Sequence, residues 1–385
     1  MKKKVLHISK YYYPFIGGVE EVAADITMAL GNGGYEQKII CFNEDSTTDG
    51  VTTHRGETVH DYIGDVEVIR CGTAVKVASQ ALSATYFSEL KKLMEGYKPD
   101  IVVFHYPNPF VSELLLRYKK NDFKLVVYWH LDITKQKVLS KFFYHQNIEL
   151  LERADKIVAT SPNYIKGSPF LRRFRKKCVV IPNCINNERL TVTPEIEALA
   201  AKIRRKYKDK IICFGLGRHI PYKGFIKLVE ASRYLDDRFE ILIGGKGDLT
   251  GMLMKEASGD RKVHFLGKIS DSQLIACLLA CDVFCFPSVT KNEAFGIALA
   301  EGMYFGKPAV TFTIEGSGVN YVNVKDVTGL ECPNSDSAAY AGALEKLAAD
   351  PELRKKLGEA GRARVLEKFT YDTFRTNILE LMEKL

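Results

Sequence analysis

Two acids eight positions apart carry the most specific chemistry in this chain. Glu293 and Glu301 lie within Pro287-Ser288-Val289-Thr290-Lys291-Asn292-Glu293-Ala294-Phe295-Gly296-Ile297-Ala298-Leu299-Ala300-Glu301-Gly302. The apolar run before Pro287 reads as a buried strand, the polar stretch after it as a loop, and the residues from Ala294 as an amphipathic helix. Glu293 then precedes the helix and Glu301 sits about two turns inside it, so both acids can face one cleft at different depths. Carboxylates accept hydrogen bonds from vicinal hydroxyls, and a helix N-terminus between them offers free N–H groups to a phosphate. Taken alone, such a pair is more often a helix cap and a surface acid.

Three further segments have the types and placement for the same chemistry. Gly215-Leu216-Gly217-Arg218-His219-Ile220-Pro221-Tyr222-Lys223-Gly224 follows a strand-like run, and ligands of open α/β sheets bind at the carboxyl ends of strands. Arg218 and Lys223 there can hold a diphosphate and stabilise it as a leaving group. Tyr13-Pro14-Phe15-Ile16-Gly17-Gly18-Val19-Glu20 joins a first strand to a helix, and its paired glycines admit a ligand close to the backbone, although a plain βα turn explains it equally well. Val126-Val127-Tyr128-Trp129-His130-Leu131-Asp132 is an apolar strand that ends abruptly in His130 and Asp132, a site candidate by position alone.

The elements that must position these residues follow a repeated plan. Short apolar runs alternate with amphipathic segments, the pattern of parallel sheets covered by helices on both faces. Strands are expected near 4–9, 37–42, 66–70, 100–105, 124–129, 156–160 and 178–181. The plan restarts at Lys210 and continues through runs beginning at Phe239, Val263, Asp282 and Ala309. Residues 186–209 are polar and lack strand character. The division is therefore expected after Pro182-Asn183, giving an N-terminal domain over 1–185 and a C-terminal domain over 186–370. The chain from Ser335 onward reads as helical. Its last helix must bury Phe374, Ile378, Leu379, Leu381 and Met382, which implies that 371–385 returns to the N-terminal domain.

Composition sets the class. A chain of 385 residues favours two domains, and 46% hydrophobic with 26% charged residues is ordinary globular usage. A net charge of +8 points to an anionic partner without choosing among a phosphorylated ligand, a membrane or nucleic acid. The nine cysteines include no C-x-x-C pair, and Cys41, Cys213 and Cys285 lie in apolar runs, which suits a reducing, cytoplasmic setting. Cys277 and Cys281 lack the further ligands a metal needs. The run Val5-Leu6-His7-Ile8 is too short for a signal peptide, and no stretch has the length of a membrane span. Between Lys166 and Lys177, Arg172, Arg173, Arg175 and Lys176 interleave with Phe170, Leu171 and Phe174. Contact with an anionic membrane and an ordinary solvated face both remain open.

Together, in this order and spacing, the four motifs resemble glycosyltransferase family 4, whose members share the GT-B fold: α/β, with two Rossmann-like domains. The resemblance covers essentially the whole chain. It implies that Arg218 and Lys223 hold the donor diphosphate, that Glu301 binds ribose, and that Glu293 faces the transferred sugar. It also implies that backbone of Ala294, Phe295, Gly296 and Ile297 lies on sugar or phosphate, and that Gly267, Lys268 and Ile269 pack against the base. Gly17 and Gly18 would close over the diphosphate, and His130 would lie near the reacting sugar. The implied activity is a retaining hexosyl transfer from a nucleotide diphosphate sugar (GDP-mannose, dTDP-rhamnose or a UDP-sugar) to a saccharide or lipid-linked acceptor. No metal and no further cofactor are expected, since the chain has no Asp-x-Asp triplet.

The sequence departs from the family pattern at Pro182-Asn183-Cys184, where Pro-Asn-Gly is usual, and at Glu315-Gly316-Ser317-Gly318-Val319-Asn320, which replaces a Gly-Gly and Pro-Glu loop. With Trp129-His130, Lys135-Gln136-Lys137 and Thr160-Ser161-Pro162-Asn163-Tyr164, that variant is similar to bacterial mannosyl- and rhamnosyltransferases of surface polysaccharide assembly. An epimerase or a non-catalytic sugar-nucleotide binder of the same fold is the alternative. A phosphorylase would need pyridoxal phosphate, a dehydrogenase a complete dinucleotide fingerprint, and a nucleic-acid protein a recognition motif that the chain lacks.

Overall fold

The computed structural model describes residues 2–15, 17–48, 50–77, 80–118, 122–133 and 137–385, with the backbone alone for 77 and 137–142. The chain forms two compact units, one of residues 1–160, 168–181 and 374–385 and the other of 161–167 and 182–373.

The first unit holds an eight-stranded sheet. Its strands are β1 (Lys4–Ile8), β2 (Glu36–Phe42), β3 (Val59–Ile63), β4 (Val66–Cys71), β5 (Ile101–Tyr106), β6 (Lys124–Trp129), β7 (Lys156–Ala159) and β8 (Cys178–Val180). They lie in the order β8-β7-β6-β5-β1-β2-β4-β3. All neighbours are parallel except the edge pair β3 and β4. Val102, Phe104, Val127 and Trp129 are buried, as expected of a parallel sheet covered on both faces, whose strands read as continuous apolar runs. The order reverses between β1 and β5, so their carboxyl ends border a switch point.

The second unit holds six parallel strands: β9 (Ile211–Leu216), β10 (Phe239–Gly244), β11 (Val263–Gly267), β12 (Val283–Phe286), β13 (Ala309–Phe312) and β14 (Gly329–Cys332). Their order, β11-β10-β9-β12-β13-β14, is the Rossmann arrangement, with its switch point between β9 and β12. The aromatic core of this sheet includes Phe214, Phe239, Phe284 and Phe286. Strand β14 was not expected from sequence, because Gly-Leu-Glu-Cys is too short and half polar to show periodicity.

The expected division at 185/186 falls at 181/182 in the structure, and the hydrogen bonds explain why. Ile181 N–H donates to Ala159 O at 3.0 Å, whereas Ile185 N–H donates to Phe369 O at 2.8 Å. The backbone therefore leaves one sheet after Ile181 and is tied to the second unit by Ile185. Ser161–Gly167 belongs to the second unit as well. Lys291 Nζ donates to Gly167 O at 3.0 Å, and a Cβ on Gly167 would meet Gly316 Cα at 2.3 Å. In the last helix, Tyr371–Glu383, the residues from Phe374 onward are part of the first unit. Phe374, Ile378, Leu381 and Met382 are buried, and Leu379 lies against Gly33.

All nine cysteines are free, with Cys178 half-buried and the others buried. Burial pushes the Cys277 thiol up to about 11 and that of Cys281 up to about 12, values of inert core thiols. No described helix is long and apolar enough to cross a membrane.

Candidate active site

The second unit gathers its polar groups at the carboxyl ends of β9 to β12. Lys223 Nζ lies 2.5 Å from Glu293 Oε2, and the same carboxylate oxygen accepts from Ser288 Oγ at 3.0 Å. Ser317 Oγ donates to the Glu293 carbonyl, so both ends of this residue are fixed. The loop bearing Lys223 is held by Val289 N–H, which donates to Tyr222 O at 2.9 Å. Lys223 also passes beside Gly217, where an added Cβ would meet its Cδ at 3.6 Å. The Lys223 ammonium therefore sits between the glycine turn after β9 and the acid before the helix. Arg218, on the same turn, is exposed.

The helix after Glu293 is α1 (Ile297–Tyr304). Gly296 begins it at φ 96°, a left-handed conformation that disfavours other residues, and a Cβ there would meet the Phe286 ring at 2.9 Å. Leu299 and Ala300 N–H groups return to Gly296 O, so the amides of Ile297 and Ala298 precede the first helical hydrogen bond and are the natural anion donors. Phe295 is buried against Phe369 at a ring distance of 5.3 Å. Only its backbone can meet a ligand. Glu301, within α1, is buried and pairs with Arg189, which also reaches Asp271 at 3.1 Å. Ala294 is half-buried, and Gly318 packs so tightly on it that an added Cβ would meet the Ala294 carbonyl at 1.9 Å.

Gly267 ends β11 at φ 69°, Lys268 is exposed, and Ile269 Cδ1 lies 3.1 Å from where a Gly244 Cβ would be. Gly245 N–H donates to Gly267 O at 2.7 Å. The Gly244-Gly245-Lys246-Gly247 turn thus joins the Gly217 and Gly267 turns into one strand-end surface. The sequence does not mark this turn as part of the site, since a glycine turn without the complete dinucleotide fingerprint is a weak ligand signal. Ser288, Ser317 and Arg189 were missed too; serines and arginines in loops give no periodic signal.

In the first unit, Gly17 is extended at φ −171° and leads into the helix Gly18–Asn32. A Cβ on Gly17 would meet Glu20 Oε2 at 2.4 Å, so this helix N-terminus already faces its own carboxylate. A diphosphate there would require Glu20 to move. Ile16 lies outside the described residues, as do Lys135 and Gln136.

His130 follows β6, with its backbone N–H on Tyr106 O at 3.2 Å. It belongs to a buried row: His105 Nδ1 is 3.0 Å from His130 Nε2, and His7 Nε2 is 2.9 Å from Gln37 Oε1. The His7 and His105 rings lie 6.3 Å apart, those of His105 and His130 5.3 Å. Burial holds His7 down to about 4 and His130 to about 3, and pushes His105 well below the usual imidazole range. Asp132 proves structural, accepting from the Trp129 indole at 3.0 Å and from Ser168 Oγ at 2.8 Å.

These depressed histidines set an acid limit on stability. His7 and His130 bind protons near pH 6.5 when unfolded but only near 4 and 3 when folded. Their stabilisation is therefore complete above pH 6.5 and is lost as pH falls from 6.5 towards 4, at about 1.4 kcal/mol per pH unit for each residue. Chemical denaturation at pH 7, 5.5 and 4.5 should show a shallower loss in His7→Asn than in the parent. Superimposable slopes would refute the assignment.

The basic segment also resolves. Arg172, Arg173, Arg175 and Lys176 are exposed, but Lys177 Nζ caps a helix end through Leu151, Glu152 and Ala154 carbonyls. Leu171 is buried, and the Phe170 ring lies 5.6 Å from that of Trp129, tilted by 47°. Phe170 and Phe174 are half-buried, so the exposed residues between Leu171 and Lys177 are the cations.

Among the described residues, no three His, Cys, Asp or Glu side chains cluster as metal ligands. The model of Glycosyltransferase Family 4 matches residues 16–189, and that of Glycosyl transferases group 1 matches residues 195–364. The D-rhamnosyltransferase WbpZ of Pseudomonas aeruginosa is 31% identical over 95% of this chain and 92% of its own. The O-antigen chain mannosyltransferase C of Escherichia coli is 32% identical over 96% and 95%. Among solved structures, sucrose-phosphate synthase from Thermosynechococcus elongatus superposes with a TM-score of 0.81 at 20% identity, covering 100% of this chain and 99% of that one.

Proposed function

Since this chain belongs to glycosyltransferase family 4 and has the GT-B fold, we propose that it is a retaining, metal-independent hexosyltransferase of surface polysaccharide synthesis. Its activity as a glycosyltransferase follows from its family; the donor, the acceptor and the roles of single residues are the proposal. The donor is a nucleoside diphosphate sugar, with mannose or rhamnose favoured by the two bacterial relatives. The acceptor is a saccharide, carried on a lipid.

The observation that carries this reading is the 2.5 Å contact of Lys223 with Glu293 beside the N-terminus of α1. One cation, one acid and free helix amides meet where a sugar phosphate needs all three. In the reaction, the acceptor hydroxyl attacks the anomeric carbon as its bond to the diphosphate breaks, and the departing phosphate oxygen takes the hydroxyl proton. Arg218, Lys223 and the first-turn amides of α1 stabilise the charge growing on that oxygen. Glu293 orients the sugar, and Glu301 exchanges Arg189 for ribose hydroxyls.

The test screens GDP-, UDP-, dTDP- and ADP-sugars by thermal shift, then assays transfer with the best donor in the presence of EDTA. A bound donor raises Tm by mass action, and the expected product keeps the anomeric configuration with activity unaffected by the chelator. Activity abolished by EDTA and restored by magnesium would contradict metal independence; donor conversion without an acceptor would favour the epimerase.

Contact with the inner face of the cytoplasmic membrane is part of the same proposal, now on charge alone. Four exposed cations contribute about 1 kcal/mol each near an anionic surface. Flotation with phosphatidylglycerol vesicles should recover the protein at low salt and lose it at high salt. Failure to float at low salt would remove the membrane from the proposal.

A further inference from the structure

His130 has a fixed partner that none of the four sequence motifs contains. His105 lies near the end of β5, next to β6, and its Nδ1 meets His130 Nε2 at 3.0 Å with the rings 12° from parallel. Only one of these two nitrogens can carry the shared proton, because both imidazoles are buried and neutral.

Which one carries it follows from counting buried N–H groups. His105 Nε2 is buried with no hydrogen-bond partner. If the proton of His105 sat on Nε2, an N–H would be buried unmet. If it sits on Nδ1, only a lone pair is unmet, and orphaned N–H groups are the rarer and costlier of the two. His7 obeys the same rule. The Gln37 amide N–H₂ is committed to Thr27 O at 2.9 Å, so Gln37 Oε1 accepts and His7 donates from Nε2, leaving a lone pair at its unpartnered Nδ1. His105 therefore donates from Nδ1, His130 Nε2 accepts, and the proton of neutral His130 is on Nδ1.

We propose that His105 is a positioning residue that locks His130 in the Nδ1–H tautomer, so that His130 meets the transferred sugar as a neutral hydrogen-bond donor and not as a base. The sugar-facing role of His130 rests on the reading above; its tautomer does not. With Nε2 occupied, the one nitrogen His130 can offer a substrate is a donor, suited to a sugar hydroxyl oxygen or to the ring oxygen. His105 never touches the substrate.

The test compares His105→Asn with His105→Leu. An Asn amide nitrogen can stand where the imidazole Nδ1 stood and still donate, whereas Leu fills space without donating. Expected are a kcat within about threefold of the parent for His105→Asn and a loss of at least about tenfold for His105→Leu, with the KM for the donor unchanged in both. Equal impairment of the two variants, or full kcat in His105→Leu, would overturn the proposal.

The tautomer is read without activity from a long-range proton–nitrogen correlation spectrum of histidine-labelled parent protein, with the His130 signals assigned by their loss in His130→Asn. Protonated Nδ1 and unprotonated Nε2 are expected on His130; the reverse would sink the proposal. Should His105→Leu fail to fold, the parent spectrum alone decides. A correct tautomer together with a fully active His130→Leu, which cannot donate, would instead refute the sugar-facing role and leave the tautomer standing.

Discussion

Lys223→Ala and Glu293→Ala should each lower turnover by at least about a hundredfold in proteins that remain folded, the first by removing a preorganised cation from a developing anion, the second by releasing the sugar from its reacting orientation. The reason is geometric. Lys223 Nζ and Glu293 Oε2 lie 2.5 Å apart with side chains that are 16% and 10% exposed, so neither charge is free to be replaced by water or by a neighbour. Each alanine variant also leaves the other charge short of its partner, which destabilises. Glu293 would then retain Ser288, while Lys223 would keep, among the described residues, the faces of Tyr222 and Phe286 at 5.6 and 5.3 Å. Glu293→Ala should thus lower Tm further than Lys223→Ala. The double variant should regain part of that stability and none of the activity. Near-normal kcat in either single variant would overturn the site.

How far the sequence led depended on the kind of signal each feature leaves. Strands β9, β10 and β12 were legible because buried parallel strands are unbroken apolar runs. β3 was not, since Val-His-Asp-Tyr-Ile mixes polar and apolar residues and its pairing with β4 comes from the turn between them. The site split the same way. Lys223, Glu293 and Glu301 stand in motifs with fixed spacing, whereas Arg189 pairs with Glu301 from 112 positions away, and His105 meets His130 across neighbouring strands. Such partners exist only once the sheet register is set. The basic segment was open in sequence for the same reason: Leu171 interleaves cations there, and its burial comes only with the fold.

The close approaches of backbone to backbone give the last strong expectation, that Gly224→Ala lowers both Tm and turnover although Gly224 bears no functional group. Gly224 has φ 64°, a conformation that costs a residue with a Cβ roughly 1–2 kcal/mol. An added Cβ would also sit 2.0 Å from the Pro287 carbonyl oxygen, a contact with rigid backbone that a rotamer change cannot relieve. The loop must therefore back away from the end of β12, carrying Lys223 with it, and displacement of a charged group by about 1 Å is enough to cost on the order of a hundredfold in rate. Gly251→Ala is the matched control. It lies in the helix Thr250–Glu256 with nothing within 4 Å of an added Cβ, so alanine there should raise stability by up to about 1 kcal/mol and leave turnover unchanged. If Gly224→Ala matched Gly251→Ala in Tm and kcat, the loop that holds Lys223 would be free to shift, and the fixed cation on which the reaction depends would not exist.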